Sequence, residues 1–384
     1  MRVLHVVHPE PSLPVDRGVL APRARDDDTT AEITLTLVEN IIRTVPADHE
    51  CLVLGGSSSV ETAQRCGLSI TACIPTPAGS TAMARRALAR WLRAQDTYDI
   101  IQFYGRSSTR VLTGWSIPPI DLRGALVTLY DEENAEIHAL VTGPRTHNTE
   151  TITAVLADTT ALDLTRHHAI RRPRDHTRAN HANDPIRIGI LAGRQDRLHG
   201  VSFLFLGAVL SSSGVRATLV MPKAAPDLDR ALSLRENSPV IESGLHLTDG
   251  LVETIGESDI LVHALGSRFR AGTIEDDAIA GLCVRAALAC GKPVLSANPD
   301  GLPQPLRESL HITSTHPSAF ARRIASLIAD RSAIQTLAES CAQHTRPDAA
   351  GLDRVIRLFW HAARVATLEP GLAAGGTHAE RTTP

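Results

Sequence analysis

Histidine and cysteine are the residue types whose chemistry is most readily recognised from their spacing. Six cysteines occur with no C-x-x-C pair among them, and several lie in apolar runs, which is typical of reduced thiols in a cytosolic protein. Four histidines cluster in one arginine-rich stretch, at irregular spacing and without cysteine or carboxylate partners at ligand spacing: His167, His168, His176 and His181. We therefore expect neither a metal ion nor a resident cofactor.

A predicted helix, a glycine stop and a strand follow one another between Ala278 and Pro299. Apolar residues from Gly281 to Cys290 recur at helical spacing, and Gly291 suits the left-handed conformation that ends many helices. The next residues, Val294-Leu295, form a short β-type run. This order is that of one helix-to-strand step in an alternating α/β domain.

The turn of this unit resembles a known signature. Its sequence, Ala289-Cys290-Gly291-Lys292-Pro293-Val294, is similar to the end of the donor-site helix in the retaining family-4 glycosyltransferases, which have the GT-B fold. The resemblance implies that Gly281 and Leu282, at the start of the helix, contact a nucleotide-sugar donor. It gives Lys292 two alternative roles, one in donor binding and one in orienting the helix-to-strand turn.

Two acids of the family signature are missing. The family has one glutamate before the glycine loop, contacting the donor sugar, and a second within the helix, contacting the ribose; the matching positions here are Ala278 and Ala286. Asp277 is a candidate to reach the sugar in place of the first glutamate. The alternative is that Glu275, Asp276 and Asp277 only supply the negative charge favoured at a helix N-terminus, by about 0.3–1 kcal/mol each.

A second resemblance lies in the segment from Ile188 to Val201. In the family a strand ends in Gly-Arg and, after four residues, Lys-Gly opens the next helix; here Gly193-Arg194 match and His199-Gly200 replace Lys-Gly. The resemblance implies that Arg194 neutralises the donor diphosphate, whose leaving group gains negative charge during transfer. His199 would do so only when protonated, and the unperturbed pKa of histidine is near 6.5. The alternative is a solvated strand-to-helix loop.

The N-terminal half resembles the family in pattern. Gly18 stands where the family has a Gly-Gly turn that lets the backbone approach the donor. Tyr130 and Asp131 end a run similar to the family's Val-Thr-x-His-Asp, and Gln102 replaces a second family histidine. Tyr130 can hydrogen-bond a sugar hydroxyl, although tyrosine is a poor general base at neutral pH. Asp131 is a candidate contact to the acceptor.

Composition excludes several classes of function. The chain has 384 residues, a net charge of −3 and 3% aromatic residues, so neither a basic surface nor stacking platforms point to nucleic-acid binding. No apolar stretch reaches the roughly 18 residues of a membrane span, and the N-terminal apolar run is too short for a signal peptide. We expect a cytoplasmic protein, with peripheral membrane association left open.

Strand-like runs alternate with amphipathic segments along most of the chain, which predicts mainly parallel sheets covered on both faces. The expected fold class is α/β and GT-B-like: two doubly wound Rossmann-like domains facing across a cleft, closed by C-terminal helices. The predicted limits are an N-terminal domain at 1–165, a linker at 166–185, a C-terminal domain at 186–348, a final helix at 349–368 and a disordered tail at 369–384.

These resemblances imply transfer of a sugar from a nucleotide-diphosphate donor to a glycan, lipid or small-molecule acceptor, with retention at the anomeric carbon. The competing hypothesis is a GT-B-shaped protein that has lost catalysis and serves as the partner of an active transferase, since both glutamates, both histidines and the lysine are replaced. A third interpretation is a sugar-nucleotide epimerase of the same shape. The several carboxylates and histidines that such an enzyme needs in its cleft are not visible in the sequence.

Overall fold

The computed structural model contains two β-sheets, one in each half of the chain. The part of the chain that the structure describes consists of residues 1–7, 26–76, 81–104, 126–131, 136–141, 150–155, 163–165, 170, 184–191, 199–223, 244–265, 278–299 and 302–368. For some of these residues only the backbone is described.

The first sheet is built from seven strands: β1 (Arg2–Val7), β2 (Asp48–Leu54), β3 (Ala72–Ile74), β4 (Ile100–Tyr104), β5 (Leu126–Asp131), β6 (Glu136–Val141) and β7 (Glu150–Val155). Their spatial order is β3-β2-β1-β4-β5-β6-β7. The strands from β1 to β5 are parallel, whereas β6 and β7 add to the edge as antiparallel strands. The helices described between these strands are α1 (Asp26–Thr44), α2 (Ser57–Arg65) and α3 (Thr81–Arg93).

The second sheet is built from five strands: β8 (Ile186–Leu191), β9 (Ala217–Pro222), β10 (Gly244–Thr248), β11 (Ile260–His263) and β12 (Val294–Ser296). All are parallel, in the order β10-β9-β8-β11-β12. The helices described among them are α4 (His199–Ser212), α5 (Leu251–Glu257) and α6 (Ala278–Ala289). A 3₁₀ turn (Gln304–Leu306) and four helices follow: α7 (Arg307–Leu310), α8 (Pro317–Ala329), α9 (Arg331–His344) and α10 (Ala349–Leu368).

The strands are apolar on both faces because helices cover both faces of each sheet. On β1, Val3 and Val7 join the core that lies under α1, whereas Leu4 and Val6 join a separate core under α3. Successive side chains of a strand point to opposite faces, so a run without polar alternation is the pattern of a strand buried on both sides. This confirms the prediction of doubly wound domains with mainly parallel sheets.

The last helix, α10, returns to the first domain. It packs against α1 and against strands β5, β6 and β7, with Ile356, Phe359 and Trp360 buried. An ion pair of 3.6 Å between Arg364 and Asp99 adds a polar contact between this helix and the first domain. The end of the chain therefore stabilises the domain in which the chain begins.

Several predicted elements agree with the structure, and some were missed. The strands Arg2–Val7 and Ile186–Leu191 have the predicted limits. The helix expected to open at Gly281 begins three residues earlier, at Ala278. The antiparallel strands β6 and β7 were not predicted. Of the predicted linker at 166–185, only residues 170, 184 and 185 are described, and the predicted tail lies outside the described residues.

Candidate functional site

Doubly wound sheets bind ligands beyond the carboxyl ends of their strands, at the point where strand order reverses. We call this side of each sheet its carboxyl edge. In the first sheet the order reverses between β1 and β4, and in the second between β8 and β11. The segments that directly follow these four strands lie outside the described residues: 8–25, 105–125, 192–198 and 266–277, the last after Ala264-Leu265.

A contact between α1 and α5 brings the two carboxyl edges together. Helix α1 follows β1 in the first domain, and α5 follows β10 in the second. The carboxylate of Glu32 on α1 accepts hydrogen bonds from the backbone N–H groups of Leu251, at 2.7 Å, and Val252, at 3.4 Å. Because Glu32 lies near the N-terminal end of its helix, and helices here begin at the carboxyl edge, the two edges are adjacent at this contact.

At the carboxyl edge of the second sheet, His263 is held by hydrogen bonds to β12. The Oγ–H of Ser296 donates to the carbonyl of Asn298 at 2.7 Å, so the His263 Nδ1–H donates to Ser296 Oγ at 2.9 Å. His263 is 6% exposed, and the next residue, Ala264, has a φ of 59°. Left-handed backbone at a non-glycine residue is uncommon, and such residues are enriched at functional sites.

Helix α6 presents an open surface near its start. Gly281 is the fourth residue of the helix and is partly exposed, and a Cβ placed there meets no described heavy atom within 4 Å. Ala286, where the family has its ribose-binding glutamate, is 2% exposed and belongs to the core. The helix ends as predicted, since Gly291 has a φ of 69°.

Lys292 lies in the turn between α6 and β12, and its side chain is buried. Its side chain is 2% exposed, and the ammonium donates to the carbonyls of Gly256, at 3.1 Å, and Ser258, at 2.8 Å. These carbonyls lie at the C-terminal end of α5, where unpaired carbonyls and the helix dipole favour a cation. Lys292 precedes β12 and so lies at the opposite edge of the sheet from the ligand edge. Its ammonium therefore joins the helix-to-strand turn to the end of α5.

In the first domain, Tyr130 and Asp131, which end the family-like run of the sequence, are the last two residues of β5. Tyr130 pairs in register with Tyr104 of β4, and Asp131 pairs with Glu136 of β6, so both lie at the carboxyl edge. Their side chains lie outside the described residues. Both positions thus lie at the carboxyl edge of the first sheet.

Gln102 has a structural partner. The indole Nε1–H of Trp360 on α10 donates to Gln102 Oε1 at 3.0 Å, and both side chains are buried. Gln102 stands where the family has a histidine, but here the amide holds the last helix against the sheet. This interaction was not predictable from spacing, because 258 positions separate the two residues.

A buried chain of hydrogen bonds runs beside Gln102 on the same face of the sheet. His49 Nε2–H donates to the carbonyl of Val45 at 2.6 Å, so His49 Nδ1 accepts from His5 Nε2–H at 2.9 Å, and His5 Nδ1 accepts from the Tyr104 hydroxyl at 2.8 Å. Burial lowers the pKa of His5 well below its usual value, and repulsion from His49, when that ring is protonated, lowers it further. Burial also lowers the pKa of His49. Both rings are therefore neutral at neutral pH. This agrees with the hydrogen bonds, in which each ring donates from one nitrogen and accepts at the other.

The remaining predicted site residues fall partly or wholly outside the described residues. Gly18, Arg194 and Asp277 are not described. His199 is the first residue of α4 and Leu282 the fifth of α6, but only their backbones are described. Within the described ranges, no group of three or more histidine, cysteine or carboxylate side chains could hold a metal ion, and no helix is long and apolar enough to cross a membrane.

Comparison with known proteins identifies the fold. No family model matches the sequence, and no curated protein matches it. Among solved structures, Staphylococcus aureus MnaA in complex with UDP is similar with a TM-score of 0.50 and 10% identity, over 94% of this chain and 96% of that one.

Two further structures have lower TM-scores. A putative UDP-N-acetylglucosamine 2-epimerase from Listeria monocytogenes has a TM-score of 0.47 and 12% identity, over 96% and 97% of the two chains. AviGT4, a glycosyltransferase involved in avilamycin A biosynthesis, has a TM-score of 0.45 and 15% identity, over 97% and 98%. The strand order and the MnaA match establish the GT-B-like fold that the sequence predicts, and at 10% identity they establish the fold alone.

Proposed function

We propose that this protein transfers a sugar from a nucleotide-diphosphate donor to a glycan, lipid or small-molecule acceptor, with retention at the anomeric carbon. The observation that carries the proposal is the unit formed by α6 and β12. Its sequence matches the family-4 donor signature from Ala289 to Val294, its helix begins at the carboxyl edge, and its first turns are open at Gly281. The donor would lie at this opening.

In this proposal the second domain binds the diphosphate. Arg194 follows β8 in the sequence, and His199 begins α4, whose first-turn N–H groups have no acceptor within the helix and form its positive dipole end. A fixed arginine charge stabilises the leaving diphosphate as its negative charge grows. Asp277, Gly281 and Leu282 would contact the sugar and nucleoside from the start of α6.

The first domain would bind the acceptor. Tyr130 and Asp131 end β5 at the carboxyl edge, and Gly18 belongs to the segment that follows β1. A retaining transfer needs chiefly leaving-group stabilisation and a positioned acceptor hydroxyl, so tyrosine in place of the family's histidine is compatible with it. No metal ion is required in this scheme.

A second candidate function is that of a non-catalytic partner of an active transferase. Two observations favour it. Ala286 is buried in the core, so nothing there replaces the ribose-binding glutamate, and Gln102 is bonded to Trp360 instead of facing a substrate. Both positions carry donor or acceptor contacts in the family that the sequence resembles.

Calorimetric titration with UDP, GDP, ADP and their common sugar conjugates distinguishes the transferase from the non-catalytic partner. Saturable binding of one nucleotide supports the donor site, and release or transfer of labelled sugar from the matching conjugate then supports catalysis. Absence of binding to every nucleotide contradicts the transferase and favours the partner function. A change of the sugar's configuration without transfer would instead identify an epimerase.

A further inference from the structure

The N-terminus of α5 is capped by a side chain from the other domain. The N–H groups of a helix's first turn have no partner inside the helix. The N-cap residue, Gly250, has no side chain to supply one. Glu32, 219 positions away on α1, accepts from Leu251 N–H at 2.7 Å and also from Val252 N–H at 3.4 Å.

The backbone conformation of Gly250 does not call for glycine, but the space beside it is filled by Glu32. Its φ of −166° is an extended conformation that any residue adopts. A Cβ at Gly250, however, would lie 2.4 and 2.7 Å from the two carboxylate oxygens of Glu32 and 2.8 Å from its Cδ. A side chain at position 250 would therefore displace the Glu32 carboxylate, the movable end of that side chain, from the end of α5.

The surroundings of the contact are partly apolar. Leu251 and Val252 are 3% and 2% exposed, and both belong to a core cluster that includes side chains of the two domains. Burial raises the pKa of Glu32, whereas its two backbone N–H partners and the charge of Arg65 act in the opposite direction. The carboxyl group of Glu253 faces it from α5 and adds to the rise.

We propose that Glu32 is an interdomain latch that holds the two carboxyl edges together by capping α5. The cleft opens when the two N–H groups lose this acceptor, because water then replaces Glu32 at the helix end. The latch does not depend on the proposed transfer reaction, since a non-catalytic protein of this fold would use the same contact.

Spin labels in the two domains measure the opening directly. The exposed residues Ser58 on α2 and Ser212 at the end of α4 are replaced by cysteine, with the exposed Cys73 changed to serine. Pulsed EPR then gives the distribution of distances between the domains. We expect one dominant short distance in this background. We expect Glu32→Ala to raise the ratio of open to closed molecules about tenfold or more, because the loss of a hydrogen bond to a charged group shifts an equilibrium by about that factor.

A double-mutant cycle separates the latch from simple damage to the fold. Gly250→Ala should open the domains while Glu32 is present, because the new Cβ collides with its carboxylate. In the Glu32→Ala background the same substitution should add no opening. Such non-additivity supports the latch, and equal effects in the two backgrounds would overturn it.

Glu253→Gln is the matched control. Its carboxylate lies in the same turn of α5 but accepts locally, from Asp249 N–H at 2.6 Å. The substitution removes one negative charge that repels Glu32 and leaves the two N–H groups that donate to Glu32 in place, so the distance distribution should stay closed. If Glu253→Gln opens the domains as much as Glu32→Ala, or if Glu32→Ala leaves them closed, Glu32 is not the latch.

Discussion

Trp360 and Gln102 lie 258 positions apart in the sequence, and the indole N–H of the first donates to the amide oxygen of the second at 3.0 Å. Both are buried, and the bond joins the last helix to the central part of the first sheet. Within the described residues the Nε2 of Gln102 has no hydrogen-bond partner, so this single bond fixes the amide. The C-terminal helix is thus a component of the N-terminal domain.

Trp360→Phe should destabilise the protein by about 1–3 kcal/mol, because the Gln102 amide oxygen loses its donor while remaining buried. Chemical denaturation followed by circular dichroism measures the change in the free energy of unfolding. Leu358→Ala, on the same helix but 62% exposed, should change it by less than about 0.5 kcal/mol. Equal effects of the two substitutions would contradict a specific role for the indole N–H.

The free energy of unfolding should fall as the pH drops below about 6.5, the usual pKa of a histidine in an unfolded chain. The folded protein keeps His5 and His49 neutral because burial lowers their pKa values, so the unfolded chain binds more protons in this range. The free energy of unfolding should therefore rise with pH from about 5 to 7, by up to about 1.4 kcal/mol per pH unit for each such proton.

The same titration in His5→Gln tests the source of this slope. The variant removes a fully buried ring whose pKa is lowered in the folded protein, so its slope should be smaller than that of the parent protein. His361→Gln, an exposed histidine on α10, should keep the full slope. A parent protein whose stability is flat over this range would show that the histidine chain is not coupled to folding.

The two lysines of the chain should differ sharply in their contribution to stability. Lys292→Met removes the donor for the buried carbonyls of Gly256 and Ser258, which should cost about 2–4 kcal/mol. Lys223→Met removes an exposed ion pair with Asp249, which should cost about 0–1 kcal/mol. Nucleotide affinity of folded Lys292→Met should be unchanged, and a selective loss of affinity would return Lys292 to the donor site.

Arg194→Ala should weaken binding of the nucleotide diphosphate by about 1.5–3 kcal/mol, the range for a hydrogen bond to a charged group. Isothermal titration calorimetry measures this difference. Arg357→Ala, which removes an exposed arginine paired with Asp353 on α10, should leave the affinity unchanged. Unchanged affinity in Arg194→Ala would remove Arg194 from the site.

The two glycines of the α6 unit should respond in opposite directions to alanine. Gly291→Ala forces a side chain into a backbone with a φ of 69°, which should destabilise the fold by about 1 kcal/mol or more. Gly281→Ala should stabilise it by up to about 1 kcal/mol, because alanine is the better helix former and its Cβ meets no described atom within 4 Å. Thermal unfolding of both variants compares them directly.

Local patterns along the sequence determined the secondary structure and much of the fold class. The largely apolar runs Arg2–Val7 and Ile186–Leu191 mark strands buried on both faces, and Gly291 marks the end of α6, since each signal depends on residues close in sequence. Alternation of such strands with amphipathic helices leaves few topologies other than doubly wound sheets.

Tertiary structure alone decided which polar groups meet. The sequence does not show that Glu32 caps α5, that Gln102 holds Trp360, or that Lys292 faces the end of a helix and not the ligand edge. These contacts join residues 34 to 258 positions apart, and their partners follow from strand order and helix packing instead of from local spacing. The antiparallel strands β6 and β7 are a different case, because each pairs with the strand next to it in the sequence; the sequence analysis did not predict them.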